Sequence, residues 1–365
     1  MAQAVRQGVA RRAALLGLCG WAAALALPAR ASNTAVVSVV PAVLTHAAVQ
    51  TPKALGAATL AVARAGKRLV AVGERGTVLL SDDAGIHWQQ AQVPVQVTLT
   101  TVCFVDAQTG WAAGHLGVIL RSDDAGATWH KQLDGFQAAA LVLQAAQATG
   151  DAKAIANAER LVEEGADKPF FDMEFSDAQH GFVVGAYGLM LSTADGGTTW
   201  AAVSPRLPNP KSLHLYGVRA SGSTVLIAGE QGLLLRSTDG GGSFTALESP
   251  YKGSFFGLLR SVGDVWVAYG LRGTAYRSSD AGTHWDKLDT GVPMAVGAGM
   301  ALPGGGFVLM SQAGDVLVGR ADSLALRRVP AREPVPVSGV VQAEDGSLVV
   351  ASLRGMHRLP ALPVN

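Results

Sequence analysis

Five aspartates in this sequence recur in one setting. Asp83, Asp124, Asp195, Asp239 and Asp280 each stand two residues after a Ser or Thr, two before a Gly and five before a Trp or Phe. Carboxylates repeated so regularly are what a search for general acids or nucleophiles would collect. Their neighbours point elsewhere. A hydroxyl, a Gly and an aromatic around an Asp suit a tight hairpin: the carboxylate accepts N–H bonds across the turn, the Gly takes a conformation costly for other residues, and the aromatic packs under the sheet edge. All five are read as structural. The sequence has no HExxH, no paired Cys/His ligand spacing, no phosphate-binding P-loop and no GxSxG elbow. Its histidines, among them His115, His130, His180, His214, His284 and His357, are scattered without metal-site spacing. The stretch Gly304–Gly306 follows Pro303 at a strand turn and opens no helix. No catalytic residue, metal or cofactor is expected.

The elements that position these aspartates repeat as well. The segment from Gly73 to Trp88 recurs as Gly114 to Trp129, Gly185 to Trp200, Gly229 to Phe244 and Gly270 to Trp285, and fainter copies begin at Ser311 and Ser352. Successive starts lie 41 residues apart, except for steps of 71 and 44 around the third copy. Alternating apolar segments precede and follow each G-x-x-G turn, as in Thr101–Val105 and Val118–Leu120. Strand, turn, strand, turn at this period predicts four-stranded blades, and seven units predict an all-β, seven-bladed propeller. The seventh unit lacks an Asp-box and a fourth strand. Ala35–Val40 is expected to supply it, because an open ring would leave two unpaired edges.

The long step marks an insertion of about 134–168. Gln137–Ala148 is rich in Ala, Leu and Gln, Gly150 can stop a helix, and Asp151 can cap a second one through Glu164. A helical hairpin between blades 2 and 3 is expected, as a lid over the channel, a docking arm, or a pair of helices simply packed on the rim. Counting strands outward from the axis, the G-x-x-G turns share a face with the links between blades, and the Asp-boxes lie opposite. That places Glu74, Arg75, His115, Tyr187, Glu230, Gln231, Arg272, Gln312 and Arg354 around one rim, the candidate partner-binding surface. Arg75, Arg272 and Arg354 offer planar forks for carboxylates or stacking surfaces for aromatics. Arg121, Arg236 and Arg277, just before the Asp-boxes, are expected to be peripheral and solvent-facing.

The first 31 residues differ from the rest: Arg6, Arg11 and Arg12, an apolar run from Ala13 to Leu27, then Ala29-Arg30-Ala31. This reads as a signal peptide over 1–31, with the propeller over 32–365. The Arg11-Arg12 pair is a weak twin-arginine match, and Leu18 stands where a lipoprotein signal has a small residue before Cys19. General secretion without a lipid anchor is expected. Loss of four arginines leaves 25 Lys and Arg against 28 Asp and Glu, which argues against nucleic acid as a partner. Cys103 would be the one remaining cysteine, so no intrachain disulfide is available. No later segment has the uncharged apolar run of a membrane helix, so membrane contact is expected only through a partner.

Units such as Val102–Trp129, repeated in Met173–Trp200, resemble those of the photosystem II assembly/stability factors, an Asp-box (BNR) family. The resemblance implies a non-catalytic, monomeric, periplasmic or thylakoid-lumenal propeller that binds a subunit of a membrane complex. The client would be photosystem II-like or, in a non-photosynthetic bacterium, an RND-type transporter. The insertion departs from the family and leaves the client open. Asp-boxes also occur in sialidases, so the alternative is a sialidase-like glycoside hydrolase or a glycan-binding propeller. That site needs an arginine cluster, a Tyr/Glu pair and an acidic Asp on the axis. The Arg-Ile/Leu-Pro signature expected before the first Asp-box is absent, and Arg206-Leu-Pro lies far downstream.

Overall fold

The computed structural model describes residues 40–330 and 335–362. The leader and, Val40 apart, the expected closing strand Ala35–Val40 lie outside the described residues. Six four-stranded antiparallel sheets and one three-stranded sheet follow one another along the chain, each strand pairing with the next in sequence. This is the expected seven-bladed, all-β propeller. The innermost strands, one per blade, are Thr59–Ala65, Leu99–Phe104, Phe170–Phe175, Leu215–Ser221, Phe255–Ser261, Val296–Ala301 and Val337–Gln342, and each touches its counterpart in the next blade, the last touching the first.

The second strands are the driest. Arg68–Gly73, Thr224–Gly229 and Val265–Gly270 are buried almost throughout, because both faces of the sheet pack on neighbouring blades. The apolar clusters therefore form between blades: Val70, Val72 and Leu80 of blade 1 share a cluster with Leu99, Ala112 and Leu120 of blade 2. Trp111 of blade 2 stacks on Phe175 of blade 3 with ring centroids 3.7 Å apart.

The Asp-boxes are the hairpins their composition predicts. Asp83 Oδ1 accepts the Ser81 hydroxyl at 2.9 Å and the His87 N–H at 2.8 Å, and Ser81 Oγ in turn accepts the Gly85 N–H at 2.9 Å. The same three bonds recur around Asp124, Asp195, Asp239 and Asp280. The N–H bond from His87 holds the Asp83 carboxyl down at about 2, and the Ser347 hydroxyl does the same for Asp345 in blade 7.

Arg121, Arg236 and Arg277 are not solvent-facing. Each is half-buried and reaches the adjoining turn of the following blade: Arg121 donates to Gly196 O at 3.1 Å, Arg236 to Ala281 O at 3.3 Å, and Arg277 Nε to Ala321 O at 2.8 Å. The strand-three position looks peripheral within one blade, but the next blade's turn covers it. Arg358 of blade 7 repeats the contact across the closing seam, donating to Ala84 O at 3.1 Å and pairing with Asp345. Inside the same seam Thr59 Oγ1 donates to Ser352 O and accepts its N–H, while Ser338 Oγ donates to Thr59 O at 2.7 Å. The outer edge of blade 7 is met by the short turn Pro52–Gly56, where Ala54 and Met356 join one apolar cluster.

The insertion forms α1 (Gly135–Thr149) and α2 (Ala152–Glu164). Asp134 and Gln137 make a capping box, which starts α1 two residues before the expected Gln137. Ala138, Val142 and Ala146 pack in a cluster with Trp111 and Phe170, and α1 lies chiefly against the Ala201–Ala202 outer strand and the Ser204–Arg206 turn of blade 3. The hairpin thus flanks blade 3 rather than covering the channel. Among the described residues no helix is long and apolar enough to cross a membrane.

Replacing Arg358 by Ala should lower unfolding free energy by about 1–2 kcal/mol, because the Ala84 carbonyl and Asp345 lose a charged donor together. Arg320→Ala, which breaks only the exposed pair with Asp322, should change it by less than about 0.5 kcal/mol. Equal effects in urea titrations would contradict the seam's role. The depressed carboxyls Asp83 and Asp345 contribute stability that is complete above the ordinary carboxylate range and lost as pH falls through about 2. The melting temperature should therefore fall between about pH 4 and pH 2, and fall less steeply in Asp83→Asn/Asp345→Asn.

Candidate functional site

In blades 1 to 5 the G-x-x-G segment is a single 3-10 turn whose third residue has a left-handed backbone: Arg75, Leu116, Tyr187, Gln231 and Arg272 all lie at φ 53–57°. A side chain held there costs roughly 1–2 kcal/mol, so the surroundings must fix it. They do so through the flanking glycines. A Cβ on Gly73 would fall 2.0 Å from Ala58 O and one on Gly76 2.1 Å from Val95 O, so the turn is clamped between the entry to its own blade and the link to the next. The rim therefore presents its side chains from rigid backbone.

Seven of the nine rim residues expected from sequence are exposed: Arg75, His115, Tyr187, Gln231, Arg272, Gln312 and Arg354. Arg75, Arg272 and Arg354 make no ion pair among the described residues. Glu74 and Glu230 behave differently. They are half-buried, and their carboxylates accept the Ala58 and His214 N–H groups at 3.2 Å, tying turn to inner strand. They hold the turn and leave its display to the next residue. In blade 2 the position of Arg75 belongs to Leu116, half-buried with Phe136 of α1 in one cluster. The nine are distributed blade by blade and do not converge on one pocket.

Two features escaped the sequence reading. The first is an aromatic arc. Each innermost strand carries a β-bulge at its rim end, where one residue is skipped in the pairing with the second strand. In blades 3, 4 and 5 the skipped residues are Phe171, Tyr216 and Phe256, half-buried beside the fully buried Phe170, Leu215 and Phe255. Phe171 and Tyr216 have centroids 5.2 Å apart, Tyr216 and Phe256 5.7 Å. His214 continues the arc outward: its ring lies 5.9 Å from Tyr216 and 4.8 Å from Tyr187, and its Nδ1 accepts the Tyr187 N–H at 2.8 Å. Aligning Phe170-Phe171 with Leu215-Tyr216 and Phe255-Phe256 would have revealed the recurrence. Beyond Tyr187 a cleft of about 920 Å³ runs between α2 and the Pro205–Pro210 link, with Lys168 Nζ 5.1 Å from the Tyr187 ring.

The second is an ionic group on the channel wall. Arg219 Nη1 donates to Asp172 Oδ2 at 2.6 Å and Nε lies 3.8 Å from Glu174, while Asp172 Oδ2 also accepts the Val218 N–H at 3.0 Å. Burial pushes both carboxyls above the ordinary range and Arg219 opposes it; the two carboxylates in turn raise Arg219. Asp172 thus covers the free edge of the blade 4 inner strand. One arginine joins the two acids here, and Arg260 on the next inner strand is engaged by Asp264 and Ser221.

Residues 151–318 match the family model described as Photosynthesis system II assembly factor YCF48. The Photosystem II assembly lipoprotein Ycf48 of Synechococcus sp. (strain CC9902) is 31% identical over 147 residues, spanning 40% of this chain and 44% of that protein. The propeller superposes on a solved structure of YCF48 bound to D1 peptide with a TM-score of 0.62 at 12% identity, covering 90% of this chain and 100% of that one. YCF48 from Cyanidioschyzon merolae gives 0.59 at 14% identity, over 86% and 97%. A GH74 enzyme from Niastella koreensis also gives 0.59 at 14% identity, over 83% of this chain and 52% of that one. At such identities the superpositions speak for the fold alone. Repeats, family model and curated relative agree: this chain is an Asp-box propeller that, over residues 151–318, is similar to the photosystem II assembly factors, and it spans less than half the length of the curated relative it matches.

Proposed function

We propose that this chain is a non-catalytic binder, exported to the periplasm or an equivalent lumen, that acts as a monomeric assembly or accessory factor for a membrane complex. It takes hold of a peptide segment of a client subunit on the G-x-x-G rim. The observation that carries the reading is the rim itself: Arg75, Arg272 and Arg354 are exposed and without ion pairs among the described residues, and the first two stand on turns clamped by glycine. Clamped turns cost little further ordering when a partner binds, and unpaired guanidinium forks suit carboxylates and aromatic faces. The relative that is an assembly lipoprotein and the superposed YCF48 with its D1 peptide are in keeping with a protein client. A photosystem II-type subunit is the client expected in a photosynthetic cell, and an RND-type transporter in another. Against a sialidase-like reaction stands the channel wall, where Asp172 is occupied by a backbone N–H and by the single Arg219.

Crosslinking and affinity capture from envelope membranes test the proposal. The wild-type chain should retain an integral membrane subunit, and Arg75→Ala/Arg272→Ala/Arg354→Ala should reduce its recovery at least about tenfold, as losing one or two charged hydrogen bonds implies. The variant's melting temperature should stay within about 2 °C of wild type, because the three side chains are exposed. Undiminished recovery, or a glycan as the retained species, would refute it.

A further inference from the structure

The rim does not have the same chemistry all the way round. At the bulged position the inner strands of blades 2 and 7 carry Thr100 and Ser338, whose hydroxyls are spent on the next blade's backbone, donating to Phe170 O at 2.6 Å and Thr59 O at 2.7 Å. Blade 6 has Gly297 there. Only blades 3 to 5 place aromatic rings, and with His214 and Tyr187 these make one continuous surface from the channel mouth to the rim. Its inner members are half-exposed and Tyr187 is 61% exposed. Core filling does not require it, since the neighbouring Phe170, Leu215 and Phe255 already occupy the core at 0% exposure. Contiguous exposed aromatics of this kind mark contact surfaces.

At the blade 3 end Lys168 is paired with Glu164 and Asp167, but charge on the links into blades 4 and 5 is unbalanced. Lys211 and Lys252, on the links that enter blades 4 and 5, and Arg272, on the blade 5 turn, are exposed and without ion pairs among the described residues. Glu230 is spent on the His214 N–H, which leaves Glu248 as the exposed carboxylate of these links. The rings themselves argue against a sugar platform. Tyr187 meets His214 at 85°, His214 meets Tyr216 at 73°, and Tyr216 meets Phe256 at 88°. Phe171 and Tyr216 are tilted by 35°, so the arc offers notches between mostly edge-to-face rings and no run of coplanar faces on which a glycan could stack.

We infer that blades 3 to 5 form the docking strip proper: a track for one extended segment of a protein partner that combines aromatic or aliphatic side chains with carboxylates. The apolar side chains enter the notches of the arc, and the carboxylates meet Lys211, Lys252 and Arg272. The inference rests on the rim reading above and narrows it to one sector and one peptide chemistry.

Fluorescence anisotropy with the full chain tests it, using three labelled twelve-residue probes: repeats of Phe-Asp-Gly, of Phe-Lys-Gly and of Ala-Asp-Gly. The Phe-Asp-Gly probe should bind at least tenfold more tightly than either other probe. Tyr216→Ser/Phe256→Ser and, independently, Lys211→Glu/Lys252→Glu should each weaken it at least tenfold. The lysine pair is fully on exposed links, so it decides the matter even if the aromatic variant unfolds. Equal binding of the acidic and basic probes, indifference to the lysine variant, or displacement of the probe by a β-glucan oligosaccharide would overturn the inference. The same variants in the membrane capture separate the two readings. Client recovery lost in the three-arginine variant but intact in the lysine and aromatic variants would sink the docking strip alone, whereas recovery intact in all would sink the rim reading with it.

Discussion

The contact on which this architecture turns is the reach of one blade into the next blade's turn. A blade buries both faces of its sheet, so its stability is that of its two seams. At four seams an arginine donates to a backbone carbonyl of the following blade: Arg121 to Gly196, Arg236 to Ala281, Arg277 to Ala321 and Arg358 to Ala84. At three of them, Gly196, Ala281 and Ala84, the carbonyl is available because the Asp-box has folded its turn around Asp and Ser or Thr, using the N–H groups and leaving carbonyls outward; Ala321 stands at the corresponding turn of blade 6, which has no Asp-box. At these three seams the Asp-boxes are both hairpin locks and the acceptors that register one blade on another.

The channel side is managed by the same economy. An innermost strand has a free edge toward the axis, which unprotected would invite pairing with another chain. Asp172 covers part of it by taking the Val218 N–H, and Thr100 and Ser338 take carbonyls of the next strand. Residues that a chemist would single out for catalysis are thereby tied to backbone. What stays free is carried by the clamped turns and by the aromatic bulges of blades 3 to 5, where the proposed binding surface lies. The helical hairpin adds to this sector by lying on blade 3, which gives the rim a second wall beside Tyr187.

Much of the fold was legible because repetition converts weak local signals into a strong one. A single Ser-x-Asp-x-Gly-x-x-Trp is a turn, and five at steps of 41 or 44, stretched once to 71 by an insertion, are a ring. The helix pair was equally readable, since Asp134, Gly150 and Asp151 are capping residues whose effect is local. The face of the G-x-x-G turns followed from strand alternation. Glu74 and Glu230 were misjudged as displayed because their partners, the Ala58 and His214 N–H groups, lie 16 residues away, just before the inner strand of the blade. Arg121, Arg236 and Arg277 were misjudged for the same kind of reason, their acceptors lying 44 to 75 residues along the chain.

The sequence by itself thus determined the number of blades, the turn chemistry of each and the place of the insertion, because those depend on contacts within one repeat. Only the tertiary structure decided which arginines are free and which are spent between blades, and that Phe171, Tyr216, Phe256, His214 and Tyr187 form one surface. Those facts depend on residues about 40 positions apart being set side by side by ring closure, and no local pattern records the angle at which two side chains then meet.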